Sequence, residues 1–161
     1  METRKSSSVL GRRAFALLLA CAFVLALAPV AATADDGDGG MFVVSPRGSD
    51  SNSCTAWAPC ATIGHAVSLA ADGDTVVVRR GTYTEDVTIL VGLTLRGVGN
   101  PTIDAAGLDN AIVVTGAGAT VEGFTVENAT FEGILVRNTH GVTIRNNVVK
   151  ANDQGIFLPP D

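Results

Sequence analysis

A repeat close to 22 residues is the feature that most restricts how this chain can fold. Residues 93 to 158 carry one short unit three times. Leu95, Val121 and Ile144 align, each preceded by a threonine (Thr94, Thr120, Thr143) and followed by a charged residue (Arg96, Glu122, Arg145). Further along, Ile112, Ile134 and Ile156 recur at a spacing of 22, and so do Val114, Val136 and Leu158. The first set steps by 26 and then 23, so insertions fall in one connection and not in the strands. Short β-rich runs at a fixed period, with no helical spacing inside them, are the signature of a solenoid of strands. Strands stacked on those of the next coil must run parallel, and their crossovers are right-handed.

Composition agrees. The 161 residues are 47% hydrophobic but only 5% aromatic, with 18 glycines. Such a mixture suits many short strands with sharp turns around a Val, Ile and Leu core. Strands are expected at 75–79, 87–89, 93–96, 102–104, 111–114, 120–121, 124–126, 133–136, 142–144, 148–149 and 155–158. One helix precedes them. Thr62 is positioned to cap it, and Ile63, Ala66, Val67 and Ala70 share one face. The helix is expected over 61–71, with Gly73 as its left-handed terminator. Its task is to cover the apolar cross-section of the first coil.

The first 34 residues read as an export signal. Arg4, Lys5, Arg12 and Arg13 form a basic start, Ala14 to Ala28 an apolar run, and Ala32-Thr33-Ala34 a small-residue cleavage site. Arg12-Arg13-Ala14-Phe15 is similar to a twin-arginine signal, so the export route is Sec or twin-arginine. The destination is secreted, extracellular or cell-envelope, with no membrane attachment after cleavage. Cys21 belongs to the signal. The mature chain then keeps Cys54 and Cys60, an even pair that reads as a disulfide in an exported protein. A metal site would need more than two thiols, and His65 is the only nearby candidate; no metal is expected. Asp35 to Gly40 reads as an acidic, glycine-rich linker, residues 41–74 as an amino-terminal cap, and residues 75–161 as coils. Asp35, Asp36 and Asp38 lack the closing glutamate that an EF-type Ca²⁺ loop requires, so Ca²⁺ is unsupported and no cofactor is expected.

Beyond position 34 the chain has seven basic and fifteen acidic residues. That balance argues against nucleic acid or an anionic membrane as partner, and against a polyanion unless a metal or a local arginine cluster intervenes.

The run Phe42-Val43-Val44-Ser45-Pro46-Arg47-Gly48-Ser49-Asp50, then Cys60-Ala61-Thr62-Ile63, Gly73-Asp74-Thr75-Val76 and Gly81-Thr82-Tyr83-Thr84-Glu85, resembles the amino end of secreted right-handed parallel β-helix proteins of the pectin-lyase-like fold. Asn147-Val148-Val149, Asn152 and Gly155-Ile156 resemble the parallel β-helix repeat of polysaccharide lyases, epimerases and carbohydrate-binding periplasmic proteins. The resemblance covers about three quarters of the chain. It implies an all-β, right-handed parallel β-helix with an amino-terminal capping helix, and extracellular polysaccharide as the partner class. Proteins of this fold are usually much longer, and the chain reaches Leu158-Pro159-Pro160-Asp161 in mid-solenoid, so a carboxy-terminal truncation with an open apolar end is expected.

Uronate lyases and epimerases of this fold gather acidic Ca²⁺ ligands and a Lys or Arg base on one strand face. The nearest counterpart here is the column Arg96, Glu122, Arg145, with Glu127 and Lys150 beside it. Opposite charges on adjacent strands also have a plain structural use as a ladder. Asp104 and Asp109 flank a loop long enough to lip a groove, and a carboxylate pair at suitable separation serves a glycosidase; aspartate is equally a turn former. Arg96, Asp104, Asp109, Glu122 and Arg145 are therefore the candidate substrate-binding residues, with no catalytic residue assigned. His140 lies in a connecting turn without a nucleophile spaced for it. Asn128-Ala129-Thr130 fits a glycosylation sequon, and Asn147 falls where Phe124 stands one coil earlier, as expected of an inward asparagine that hydrogen-bonds a bend. Trp57 and Tyr83 are the only Trp and Tyr, both near the cap. Two functional classes follow: a carbohydrate-binding or carbohydrate-active β-helix, and a non-catalytic surface or envelope protein that is structural or adhesive.

Overall fold

The computed structural model describes residues 39–158. The export signal with Cys21, the linker aspartates and Pro159 to Asp161 lie outside the described residues. Among the described residues no helix is long and apolar enough to cross a membrane.

The described residues begin with β1 (Met41–Val44) and, after the disulfide loop, α1 (Ile63–Leu69). Four coils of three short strands follow. The first holds β2 (Thr75–Arg79), β3 (Thr82–Tyr83) and β4 (Val87–Ile89); the second β5 (Thr94–Val98), β6 (Thr102–Asp104) and β7 (Ile112–Val114). The third holds β8 (Thr120–Glu122), β9 (Thr125–Glu127) and β10 (Glu132–Val136); the fourth β11 (Thr143–Arg145), β12 (Val148–Lys150) and β13 (Gln154–Phe157). They stack as three parallel sheets in the orders β1-β2-β5-β8-β11, β3-β6-β9-β12 and β4-β7-β10-β13. The described residues thus form an all-β parallel solenoid with one short helix.

The sequence repeat is the hydrogen-bonding register. Leu95 pairs with Val121 and Val121 with Ile144; Ile112 pairs with Ile134 and Ile134 with Ile156. Alternation along each strand sends one set inward: Val76, Leu95 and Val121 in the first sheet, Ile103 and Val126 in the second, and Val87, Ile112 and Ile134 in the third are fully buried. Outside, Thr75, Thr94, Thr120 and Thr143 stack on one another, a β-branched ladder suited to a half-exposed pleated surface. The unequal first step arises at the β5–β6 corner. Thr94 leads to Thr102 in the second coil, whereas Thr120 leads to Thr125 in the third, so β5 runs on to Val98 and Gly99 to Pro101 form a wider bend. Gly97 must stay glycine there: a Cβ would come within 2.4 Å of the Gly123 carbonyl oxygen.

Three local expectations change. Thr82–Tyr83 is a strand outside the stretches expected to be strands. It is only two residues long, and Tyr83 points inward, its hydroxyl donating to the Arg79 carbonyl at 2.8 Å. The helix is shorter than the 61–71 expected. Thr62 does cap it, accepting from the His65 N–H, but it ends at Leu69 with an extended Ala70 as its carboxy-terminal cap. Gly73 has the left-handed φ of +88°, yet it serves the turn into β2 and not the helix end. Gly39 and Gly40, read as the end of the linker, pack against Gly73 and Asp74, and the Gly40 N–H donates to Asp74 Oδ1 at 2.6 Å.

The cap forms by two devices. β1 adds a fifth strand to the first sheet and pairs with β2. α1 buries Ile63, Ala66 and Val67 against the first coil. Glu85, from the β3–β4 turn, fixes the helix start: its carboxylate accepts from the Ile63 and Gly64 N–H groups at 2.9 and 2.8 Å. Two otherwise orphaned helix donors are thereby satisfied by the coil that the helix covers. Asp50 holds the preceding turn, accepting from the Ala61 and Thr62 N–H groups and the Thr62 hydroxyl. At the other end, Ile144 and Val149 are half-buried, and Ile156 and Phe157 are exposed.

Candidate functional site

Glu122 lies between Arg96 and Arg145 on the outer face of the first sheet. Arg96 Nε donates to Oε1 at 2.7 Å and Arg145 Nε to Oε2 at 2.6 Å. The register Arg96–Glu122–Arg145 makes this contact unavoidable, because parallel strands about 4.8 Å apart bring outward side chains at one level together. Hydrogen bonds from Arg96 and then Arg145 hold the Glu122 carboxyl below the usual glutamate range. Both carboxylate oxygens are therefore occupied, which suits an ionised ladder rung and not a proton donor.

Beside it, on the second sheet, Asp104, Glu127 and Lys150 share one level. Lys150 Nζ sits 3.0 Å from Glu127 Oε2. Asp104 Oδ1 accepts from the Ala106 N–H at 3.2 Å and from Asn128 Nδ2 at 2.8 Å. Asp104 thus closes the turn after β6 and ties it to the next coil. The sequon residue Asn128 spends its amide on that contact, in a left-handed turn with φ of +66°.

Asp109 lies at the far end of the loop that follows Asp104. Asp109 precedes β7, and Asp86, just before β4, lines the same groove. Gly107, Leu108, Asn110 and Val113 complete this open groove of about 430 Å³. Asp86 was not foreseen, since it belongs to the preceding coil and only the stacking of β4 on β7 brings it alongside. Its one sequence signal is position: it stands just before Val87, as Ala111 stands before Ile112.

Inward asparagines complete the frame. Asn147 Oδ1 accepts from the Phe124 N–H at 3.0 Å, and its Nδ2 donates to the Val121 carbonyl at 2.9 Å. Asn152 does the same one corner later, for the Ala129 N–H and the Val126 carbonyl. Each replaces an apolar residue of the coil before and satisfies backbone groups that the bend strands.

At the cap, Cys54 and Cys60 form the expected disulfide, with their Cα atoms 4.6 Å apart. The donor atoms of Cys54, Cys60 and His65 lie within 4.8 Å of one another. A reduced pair with His65 would offer three ligands, one short of a closed tetrahedral zinc site, and the sulfurs here are bonded to each other. Glu85, Tyr83 and Asp50 are the other perturbed groups among the described residues. Burial, opposed by the Gly64 and Ile63 N–H groups, raises the Glu85 carboxyl. Burial, with the nearby Glu85 charge, raises the Tyr83 phenol to about 12. For Asp50, burial alone would push upward, but the donors from Thr62 and Ala61 outweigh it and the carboxyl lies lower than usual. Each of these groups has a structural hydrogen-bonding task.

Fold and flank together define a parallel β-solenoid with self-paired charge columns. No family model matches the sequence, and no solved structure matches it. Two curated relatives do. "Uncharacterized protein YwoF" of Bacillus subtilis (strain 168) is 34% identical over 112 residues, which is 68% of this chain and 22% of that protein. "Cell surface glycoprotein" of Methanothermus fervidus is 31% identical over 80 residues, 49% of this chain and 13% of that protein. The chain spans under a quarter of the length of either.

Proposed function

We propose that this chain is an exported β-solenoid of the pectin-lyase-like kind, secreted or held in the cell envelope, whose described coils bind an extracellular polysaccharide and do not cleave it. The observation that carries this reading is the pairing of Glu122 with Arg96 and Arg145, one guanidinium on each carboxylate oxygen. A lyase or glycosidase flank needs an acid or base free to exchange a proton with substrate. The strongest candidates on this flank are spent on one another, on Lys150 or on Asn128. Export is supported by the basic start, the apolar run and Ala32-Thr33-Ala34. A surface location is supported by the similarity to the cell surface glycoprotein of Methanothermus fervidus.

The alternative, a structural or adhesive rod, is favoured by the length of the relatives, of which this chain matches only a small part. Retention on polysaccharide separates the two. The full chain, expressed with its amino-terminal segment, should be recovered outside the cytoplasm and sediment with insoluble polysaccharide. Recovery of an uncleaved chain in the cytoplasm would refute export, and absence of co-sedimentation with neutral and acidic polymers would refute binding.

A further inference from the structure

An indole held out in water by a rigid loop is the least explained feature of the molecule. Trp57 is 97% exposed. A large aromatic side chain gains most by burial, and it is common at recognition surfaces, where it supplies contact area at little entropic cost. The loop that carries it is fixed from several sides. The Cys54–Cys60 disulfide closes it. Its base is bonded to β1 through the Val43 N–H to the Cys54 carbonyl and the Cys60 N–H to the Val43 carbonyl. Its tip is a tight turn: the Thr55 N–H donates to the Ala58 carbonyl, and the Ala58 N–H to the Thr55 hydroxyl. Asn52 Nδ2 donates to the Pro59 carbonyl at 2.8 Å. A loop ordered in advance loses little entropy when a ligand lands on it.

Arg79 is the second part. It ends β2, and its Nη2 donates to the Ala56 carbonyl, beside Trp57, at 3.0 Å. That bond anchors the guanidinium to the backbone of the residue before Trp57 and uses one of its five donors. Arg79 makes no ion pair among the described residues, and the exposure of Trp57 shows that it does not lie across the ring. Arg80 follows at the same corner, its stem over Gly99. The chain beyond position 34 has seven basic and fifteen acidic residues, so an arginine with no ion pair among the described residues, bonded next to the sole tryptophan, stands out.

We infer that Trp57 and Arg79 form a recognition site at the cap for an acidic sugar of an extracellular polysaccharide, a uronate residue. The inference rests on the polysaccharide-binding reading above and gives it a place and a ligand class. The C–H face of a pyranose packs on the indole, where both surfaces leave water. The uronate carboxylate meets the guanidinium, whose planar fork matches two carboxylate oxygens. The charge columns of the coils take no part in it.

Trp57 is the only tryptophan, so its fluorescence reports this site alone. The full chain is titrated with oligogalacturonate, with an uncharged β-glucan oligomer and with vesicles containing an anionic phospholipid. Oligogalacturonate is expected to shift Trp57 emission to the blue and to protect it from acrylamide. Arg79→Gln should weaken binding roughly tenfold or more, the size of a charged hydrogen bond. Trp57→Ala, followed by calorimetry, should weaken it at least as much, with the melting temperature of both variants unchanged because both side chains are exposed. Uronate binding unaltered by either substitution overturns this site and leaves the polysaccharide reading standing. Equal binding of the uncharged glucan overturns the assignment of an acidic sugar. The same blue shift with vesicles and not with sugars overturns the site in favour of a lipid surface. Failure of every polysaccharide to bind wild type removes the broader reading and this site with it.

Discussion

Replacing Asn147 by alanine tests whether the bends are held by side chains, as the geometry indicates. The amide satisfies two backbone groups of the coil before it, the Phe124 N–H at 3.0 Å and the Val121 carbonyl at 2.9 Å. Alanine leaves both unpaired. A buried group without its partner costs about 1–3 kcal/mol, so full burial of both would cost about 2–6. Asn147 is only half-buried, in the last described coil, and water can reach part of the gap. The expected loss is therefore about 1–3 kcal/mol. For a domain of this size that is a fall of about 5–15 °C in melting temperature. Asn147→Asp separates the two bonds. Its carboxylate can still accept from Phe124 N–H but sets an oxygen against the Val121 carbonyl, so at neutral pH it should cost no less than alanine. In acid the protonated form regains a donor, and the gap to wild type should narrow. Thermal melts followed by far-UV circular dichroism measure this; Trp57, already in solvent, would not report unfolding. An alanine variant melting within about 2 °C of wild type would refute the reasoning, since the loss would then lie far below one unsatisfied group.

Two further expectations concern the cap and the charge column. Val67→Asp places a carboxylate on the buried face of α1, beside a small apolar crevice formed with Leu90 and Val91. Some hydration through that crevice limits the cost to about 2–3 kcal/mol; a variant melting within a degree or two of wild type would show that the helix does not cover the coil. Glu122, its carboxyl depressed by Arg96 and Arg145, adds stability that is complete above the ordinary glutamate titration and lost as pH falls through the lowered value. Glu122→Gln should flatten that acid limb of melting temperature against pH, and salt should blunt the wild-type limb; identical limbs in the two proteins would remove the column as its cause. Glu85, raised by burial, has the opposite sign: its ionisation opposes stability as pH rises from the unfolded carboxylate value to the folded one.

Much of the coil was legible because identical environments repeat. Ile112, Ile134 and Ile156 sit at one inward position, and Arg96, Glu122 and Arg145 at one outward position, so aligning the sequence with itself yields the register. Where a position occurs once, the method has nothing to align. Thr82–Tyr83 is too short for alternation to show. Glu85 reaches Ile63 and Gly64 across the cap, a contact that no period encodes. Asp109 was expected with Asp104 because they are near in sequence; that it shares a groove with Asp86 of the preceding coil follows from the stacking of β4 on β7, which no short-range spacing encodes. Trp57 was noted as an aromatic near the cap; its complete exposure depends on loop bonds to β1 and Arg79 that only the folded chain displays.

The central claim is that these coils bind polysaccharide without cleaving it. Its most direct test incubates the purified chain with pectate, alginate and chondroitin, and measures bound polymer and newly formed chain ends in the same tubes. The account predicts retention on an acidic polymer with no increase in ends over a blank. New ends that appear with wild type and vanish with Glu122→Ala or Asp104→Ala would contradict it, because those carboxylates would then be exchanging protons with substrate and not merely bonding to Arg96, Arg145 and Asn128.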